Sequence, residues 1–151
     1  MRRADRRGAP RQRGIAAVEL AVMMPVLIFM LVFPLYLGRV FWHYTVIQHA
    51  AQDAARYLSK IPASEMANPL RAPDLAKVAE AIADAQLTEL APGAFRYGLV
   101  VTCDGGLCLG FNRPAVVRVN IQVLMEDIFF SGYTSLTLSL TADVSYPYMG
   151  K

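Results

Sequence analysis

An uncharged apolar run of 19 residues constrains this chain more than any other feature of its sequence. The run extends from Leu20 to Gly38 and ends at Arg39. As an α-helix it would be about 28 Å long, which matches the roughly 30 Å hydrocarbon core of a bilayer. A chain of 151 residues leaves too little other sequence to cover such a helix on all sides in water. The run therefore predicts a single transmembrane helix.

The two flanks of the run differ in character. Six of the 15 Lys and Arg residues lie in the first 13 positions, and nine basic against eleven acidic side chains remain after residue 14, a net charge of −2. An Arg cluster can bind nucleic-acid phosphates, but beside a span it is typical of the cytoplasmic flank. Phe41, Trp42 and Tyr44 follow the run and suit the opposite membrane–water interface. We expect a cytoplasmic N-terminus, an extracytoplasmic C-terminal part and no nucleic-acid partner.

A cleaved secretory signal is the main alternative for the apolar run. The run is longer than a usual signal core, and no small-residue cleavage site closes it at Gly38-Arg39. The paired arginines of the leader also fit a twin-arginine signal, but the length of the apolar core favours an anchor. We therefore expect the run to remain in the membrane.

An acidic residue, Glu19, lies at the start of this membrane segment. Near a bilayer edge the cost of a charge is small, and a helix N-terminus favours an acid, so a contact with headgroups or Arg13 would explain Glu19 alone. Its context is more specific than that. An Arg-rich leader ends in Gly14, four apolar residues follow, and Glu19 comes next.

This arrangement resembles the processing site of type IV prepilins. The resemblance implies that a membrane prepilin peptidase cuts between Gly14 and Ile15, and that Ile15 becomes the new N-terminus and a candidate for N-methylation. Glu19 would then be the fifth mature residue and an assembly carboxylate. A carboxylate there would offset the new α-amine, whose positive charge is unfavourable at a helix N-terminus.

Three motifs narrow the resemblance to the TadE-like family, minor pseudopilins of the tight-adherence (Flp) type IVb pilus. They are the opening G-x-A-x-V-E-L, a proline soon after it at Pro25, and A-x-x-A-A-R-Y over residues 51–57. The likeness covers residues 13–60 well, although Leu20 stands where many members have an aromatic. It implies a non-enzymatic pilus-assembly and adhesion subunit of the bacterial inner membrane. Its expected partners are prepilin peptidase, other pilin or pseudopilin subunits and the assembly machinery.

The rest of the sequence predicts a stalk helix and a small α+β head. Apolar residues spaced by three or four continue to Leu58, so the first helix should run from Ile15 to Ser59, about 67 Å, loosened at Pro25 and Pro34. We expect three parts: a leader over 1–14, the transmembrane and stalk helix over 15–60, and the head over 61–151.

Within the head, prolines predict a loop over 61–73, followed by a second amphipathic helix over 74–90. Leu87 should lie at the edge of its apolar face, which comprises Leu75, Val78, Ala79, Ile82, Ala83 and Leu90. Three later stretches favour strands, and two of them alternate apolar and polar residues: Phe95–Cys103, Val116–Leu124 and Leu136–Tyr146. This pattern predicts a three- or four-stranded antiparallel sheet with one covered face.

Cys103 and Cys108 are the only cysteines. Outside the cytoplasm, two close cysteines predict a structural disulfide, here around a tight turn with a short return strand. A redox pair usually has two intervening residues rather than four, and zinc needs more ligands. His43 and His49 point to different sides of a helix, and no catalytic motif is present. We expect no cofactor, no metal and no enzymatic activity, with an uncleaved membrane-anchored binding module or a periplasmic redox factor as rival hypotheses.

Overall fold

The computed structural model describes residues 13–90, 94–126 and 137–151. Its described elements follow one another along the chain as a long helix, two shorter helices, a single 3-10 turn and three strands. They are α1 (Arg13–Lys60), α2 (Ala63–Met66), α3 (Ala72–Leu87), the 3-10 turn (Thr88–Leu90), β1 (Ala94–Cys103), β2 (Val116–Glu126) and β3 (Thr137–Pro147). This is the predicted α+β arrangement of a long N-terminal helix, a further helix and a three-stranded antiparallel sheet.

The chain divides into two compact units, residues 1–38 and residues 39–151. The helix assignment of α1 is unbroken through Pro25 and Pro34, both of which lie in the first unit. A proline has no N–H to donate to the preceding turn, so the carbonyls of Ala21 and Met30 lack their usual helical donors. In the second unit, which from here on we call the head and which includes α1 from Arg39 as well as residues 61–151, one face of α1 is fully buried: Ile47, Ala50, Ala51, Ala54, Ala55 and Leu58.

The sheet of the head has the order β1-β2-β3, and both neighbouring pairs are antiparallel. Its central strand β2 buries every second side chain, as the alternation predicts: Val117, Val119, Ile121, Val123 and Met125. On β3 the burial is less complete, because Leu140 and Ala142 are buried whereas Leu138 is exposed. Leu136 lies outside the described residues. A register shift between Arg96 and Gly98 interrupts the pairing of β1.

Two hydrogen bonds join the ends of the buried helix face to the end of β2 and to the segment that follows β3. At one end, the Arg39 guanidinium donates to the Glu126 carbonyl at the end of β2, at 3.2 Å. At the other, the Met149 amide donates to the Ser59 carbonyl at 2.9 Å. The head therefore places α1 along the direction of the strands, with Arg39 and Ser59 near opposite ends of the sheet.

Two helix predictions need correction. The segment expected to be a loop between the helices contains the one-turn helix α2, and the second helix begins at Ala72 and becomes 3-10 at Thr88. On α3, Leu87 is buried rather than at an edge, whereas Val78 is exposed. The buried face is thus centred on Ala79, Ala83 and Leu87, since small alanines let the helix approach its neighbours closely.

Candidate functional site

The predicted scissile bond, Gly14–Ile15, lies in the first turn of α1, which begins at Arg13. The first four amides of a helix have no intrahelical acceptor, and terminal turns fray easily. The first turn also contains no acidic residue that could stabilise the positive end of the helix dipole. A peptidase would therefore have to open only one weakly held turn to reach this bond.

Gly14 is not required by the packing of the chain itself. A Cβ atom placed on Gly14 meets no heavy atom of the described residues within 4 Å. Gly110 is different, because its φ is +75° and a Cβ there would lie 2.6 Å from the Asn68 carbonyl carbon. Gly150 likewise has no room, since a Cβ would collide with the Ile61 carbonyl oxygen. Close packing thus explains Gly110 and Gly150, whereas no contact of the described residues requires a glycine at position 14.

Glu19 lies one helical turn after Ile15, on the same face of α1, and is exposed. Helical side chains are tilted towards the N-terminus, so residues four apart are neighbours on the helix surface. The carboxylate of Glu19 therefore projects back towards the position where an α-amine would appear if the chain were cut before Ile15. It is equally open to an amine on another copy of the helix.

The apolar segment of α1 presents its side chains outward on every side. Ile15, Leu20, Phe29 and Phe33 are all more than half exposed, and so are most of the other large apolar residues between them. The helix over 14–60 is long and apolar enough to cross a membrane, and none of its most apolar window is buried. Exposed apolar surface of this extent is stable in lipid rather than in water, so the segment is suited to a single-pass anchor.

In the first turns of α1 after the apolar run, one side of the helix is exposed and the other is buried. Phe41, Trp42 and Tyr44 are exposed, as expected for side chains at a membrane–water interface. His43 is 1% exposed, and its Nδ1 donates to the Arg39 carbonyl at 2.8 Å. Burial lowers the pKa of His43, the hydrogen bond to Arg39 opposes this shift, and the positive charge of Arg39 adds to it. The imidazole is therefore buried within the head and is favoured in its neutral form.

The two cysteines form the predicted disulfide between Cys103 and Cys108. The tight turn between them is present, because the Cys103 and Gly106 backbones exchange hydrogen bonds of 2.8 and 3.0 Å. The short return strand is not seen among the described residues, since Cys103–Gly106 is an isolated bridge. The covalent bond therefore pins a loop rather than a regular hairpin.

Asp104, whose role was not predicted from the sequence, joins the two ends of the long loop between β1 and β2. Its carboxylate accepts from the amides of Ala115 and Val116 at 2.8 to 3.0 Å, and its own amide donates to the Val116 carbonyl. Its backbone is left-handed, with φ of 52°, a conformation that aspartate tolerates better than most residues. The Asp-Gly-Gly sequence after Cys103 was the available signal for this turn.

Two further contacts of the head were not predicted. Arg118 and Asp143 form a two-pronged ion pair across β2 and β3, and its charge-assisted hydrogen bonds lower the pKa of Asp143. Tyr148 donates from its hydroxyl to the Ile61 carbonyl at 2.5 Å, and burial raises its pKa. Both contacts join residues distant in sequence, so no local pattern could reveal them.

No group of three or more His, Cys, Asp or Glu residues that could hold a metal ion occurs within 13–90, 94–126 and 137–151. His43 is buried and His49 is exposed, so the two imidazoles point to different sides of α1, as their spacing predicts. Three ion pairs are formed among the described residues of the head: Arg71 with Glu65, Lys77 with Asp74, and Arg118 with Asp143.

Comparison with known proteins bears on α1. The family model for the TadE-like protein matches residues 14–56. No curated protein and no solved structure matches the chain. The matched segment begins at the predicted scissile glycine and ends within the buried half of α1, so it contains Glu19, the whole apolar run and the first part of the head. Such proteins act in tight-adherence pilus systems and are generally non-enzymatic. Over residues 14–56 the chain is therefore similar to the TadE-like family.

Proposed function

We propose that this protein is a minor pseudopilin that prepilin peptidase cuts between Gly14 and Ile15, and that takes part in assembling a tight-adherence pilus and so in surface adhesion. The observation that carries the proposal is the position of Gly14. It is the first residue of the TadE-like match, it lies in the first turn of an apolar helix, and no packing among the described residues requires it. Recognition by a peptidase that requires glycine before the scissile bond would explain a glycine that the packing of the chain does not require.

The proposed cut is a hydrolysis of one amide bond. Water adds across the Gly14–Ile15 peptide, leaving a carboxylate on Gly14 and an α-amine on Ile15. The leader carries six arginines and one acid, so its removal takes most of the positive charge away from the membrane end of the helix. The amine that remains is accessible for methylation by the same peptidase.

In the mature chain Glu19 would serve as the assembly carboxylate. A positive amine at a helix N-terminus is unfavourable, and in lipid its interaction with a carboxylate is strengthened by the low dielectric constant. Because Glu19 and Ile15 share a face of α1 and both are exposed, the pair can form within one chain or between two neighbouring helices. The second arrangement would set the axial offset between subunits in a filament or priming complex.

The proposed location is the bacterial inner membrane, with the leader in the cytoplasm and the head in the periplasm. The arginines of the leader support this orientation through the positive-inside rule. The Cys103–Cys108 disulfide supports an oxidising compartment for the head. The partners would be prepilin peptidase, other pilin or pseudopilin subunits that pack against α1, and the pilus assembly machinery.

The proposal is tested by the mass of the membrane-extracted protein. We expect a chain that begins at Ile15 in the native protein and a full-length chain in the Gly14→Lys variant. The matched control is Gly38→Lys, since Gly38 also lies on α1 with no heavy atom near its missing Cβ. That control should be cut normally. A native protein that retains residues 1–14 in cells with active peptidase would refute the processing.

The role of Glu19 needs a separate experiment. Glu19→Ala should be inserted and cut largely as in the native protein but should give no pili, and Glu19→Gln should behave in the same way because it keeps the shape and loses the charge. Pili are counted by electron microscopy, with cleavage followed in parallel by mass. Normal piliation in Glu19→Gln would show that the charge is not used.

One observation favours a second candidate, an uncleaved membrane-anchored binding module. The helix begins at Arg13, before the scissile bond, so the uncut chain already has a complete membrane anchor. Under this alternative, full-length protein would be the stable form, and Gly14→Lys would leave its function unchanged. The same mass measurement therefore separates the two candidates.

A further inference from the structure

The segment that follows β3 is bound to the end of α1. We call residues 148–151 the clasp. Its Met149 amide donates to the Ser59 carbonyl at 2.9 Å, and its Tyr148 hydroxyl donates to the Ile61 carbonyl at 2.5 Å. The last carbonyls of a helix have no intrahelical donor, so the clasp supplies hydrogen-bond donors at the point where α1 ends.

The clasp also fits closely against the chain that leaves α1. The Lys151 carbonyl accepts from the Ala63 amide at 3.4 Å, at the start of α2. A Cβ atom on Gly150 would collide with the Ile61 carbonyl oxygen, so the approach requires a glycine. Ile61 is 7% exposed, although Lys60 before it is exposed. The peptide bond after Lys60 is therefore accessible from one side only, unless the clasp opens.

The loop between β1 and β2 holds the other side of the clasp. The Arg113 guanidinium donates to the Gly150 carbonyl at 2.9 Å and lies over the Tyr148 ring, 5.4 Å from the ring centroid. A cation over an aromatic face is attracted to it. The Ala115 carbonyl accepts from the Tyr148 amide at 2.9 Å. One side chain and one backbone group of the loop thus keep the clasp against α1.

The Cys103–Cys108 disulfide divides this loop into two shorter stretches. Asp104 holds the far end of the loop by accepting from the Ala115 amide, and Arg113 lies in the second stretch, between Cys108 and Ala115. Breaking the disulfide would join the two stretches into one longer loop. A longer loop has more conformational freedom to lose, so the entropic cost of ordering Arg113 would rise.

The side chains on either side of Cys108 contribute little to holding the loop. Leu107 and Phe111 are 71% and 73% exposed, whereas Cys108 is 6% exposed. The backbone at Gly110 passes so close to Asn68 that no side chain would fit. A cavity of about 210 Å³ is lined by both cysteines and by the two exposed apolar residues, so a thiol can approach the disulfide from the surface. The covalent bond is therefore important for the loop and open to exchange.

We propose that formation of the disulfide closes the clasp. Oxidation of the two cysteines orders the loop, Arg113 then holds the clasp, and the clasp fixes the end of α1 within the head. The head would be completed only after it has left the cytoplasm. The proposal rests on the proposed oxidising location of the head and does not depend on cleavage after Gly14.

The oxidation is a thiol–disulfide exchange with a dithiol oxidase. The thiolate of one cysteine attacks the disulfide of the oxidase, and the thiolate of the other cysteine then displaces the oxidase from the mixed disulfide. Two electrons and two protons pass to the oxidase, which leaves as a dithiol. Reduction of the head by a dithiol reagent is the reverse reaction, in which the reagent becomes a cyclic disulfide.

The test is trypsin cleavage of the full chain in detergent, followed by mass spectrometry. Trypsin binds extended chain on both sides of the bond it cuts, so the rate of cleavage after Lys60 measures the fraction of chains with an open clasp. The chain is reduced with a dithiol reagent, which is removed in the absence of air before trypsin is added. We expect cleavage after Lys60 to become at least about tenfold faster, while cleavage after Lys77 on α3 keeps its rate.

Variants test the route from the disulfide to the clasp. The double variant Cys103→Ser, Cys108→Ser should be cut after Lys60 at the fast rate with or without reduction. Arg113→Gln should also be cut fast with its disulfide intact, and reducing it should add less than about twofold, because both changes act on one contact. Arg118→Gln is the matched control, since Arg118 pairs instead with Asp143, and it should retain the native rates.

An unchanged rate after Lys60 on reduction would overturn the proposal. So would an equal rise after Lys77, which would mean that the whole head unfolds, or a rise of about tenfold on reducing Arg113→Gln, which would mean that the disulfide acts by another route. If the purified chain behaves as expected but its cysteines are reduced in cells, the proposed location of the head fails and the coupling stands, so the two failures are distinguishable.

Discussion

The two parts of α1, before and after Gly38, are opposite in exposure although both are rich in apolar residues. Before Gly38, large side chains such as Leu27 and Phe29 project outward on every side. After it, beyond the exposed aromatic residues Phe41, Trp42 and Tyr44, one face of the helix is buried, and most of that face is alanine. The difference reflects two solvents. Large apolar side chains are stable in lipid on every side of the helix. In the head, small residues are favoured where α1 packs against other elements, and polar residues are favoured on its other faces.

This contrast means that the same chemical change should have different consequences in the two parts of α1. In the head part, interior packing is dense and each methylene has neighbours. In the membrane part, the side chains of a single helix meet fluid lipid, which rearranges around a smaller or larger group. Matched substitutions along the one helix can therefore measure how far the two environments differ.

The largest difference is expected for removal of apolar bulk. Leu58→Ala should reduce the free energy of unfolding of the head by about 2–5 kcal/mol, since Leu58 is fully buried. The control Leu27→Ala should leave head unfolding within about 0.5 kcal/mol of the native value, because Leu27 is exposed in the other unit. Denaturant unfolding in detergent, followed by the fluorescence of Trp42, the single tryptophan, gives both numbers. Equal losses in the two variants would contradict the contrast.

A smaller effect is expected when bulk is added. Ala51→Leu should destabilise the head by about 1–3 kcal/mol, because Ala51 is fully buried and the added atoms have no space. Ala21→Leu is its control, since Ala21 is exposed within the apolar run, and we expect normal membrane insertion and no loss of head stability. The same unfolding measurement applies. A head that accepts leucine at position 51 without loss would show that α1 is loosely packed there.

The sequence predicts those parts of the structure that depend on local periodicity. The extent of α1 follows from the apolar run and the spacing that continues to Leu58, and β2 follows from alternation alone. The close cysteine pair likewise predicts the disulfide. In each of these cases the predictive pattern lies within a short stretch of chain. All residues of that stretch share one environment, either lipid, the head or the compartment outside the cytoplasm.

The parts that the sequence does not predict depend on tertiary neighbours. Val78 has the spacing of a core residue, yet α3 buries Leu87 instead, because the rotation of a helix is set by what it packs on. His43 stands in sequence among the interfacial aromatic residues, yet its side chain is buried within the head. The outward side chains of Leu107 and Phe111 follow from the closeness of Gly110 to Asn68, a contact between loops that are distant in sequence.

The smallest predicted effect concerns pH at the base of the head, where the buried face of α1 begins. Burial lowers the pKa of His43, so below its ordinary value of about 6.5 the unfolded chain binds a proton that the folded head resists. The stability of the head should therefore fall as pH is lowered through about 6.5, and the fall should end below the folded pKa. One proton is involved, which limits the slope to about 1.4 kcal/mol per pH unit.

Arg39 lies beside His43 and makes two contacts there. Its carbonyl accepts the Nδ1 hydrogen bond, and its guanidinium is held at the Glu126 carbonyl. His43→Gln should remove the slope between pH 7 and 5.5, whereas His49→Gln should retain it because His49 is exposed. Unfolding free energies of the three proteins at several pH values provide the comparison. An equal slope in all three would contradict the role given to His43, because Asp143, whose lowered pKa makes a contribution of the same sign, acts only at more acidic pH.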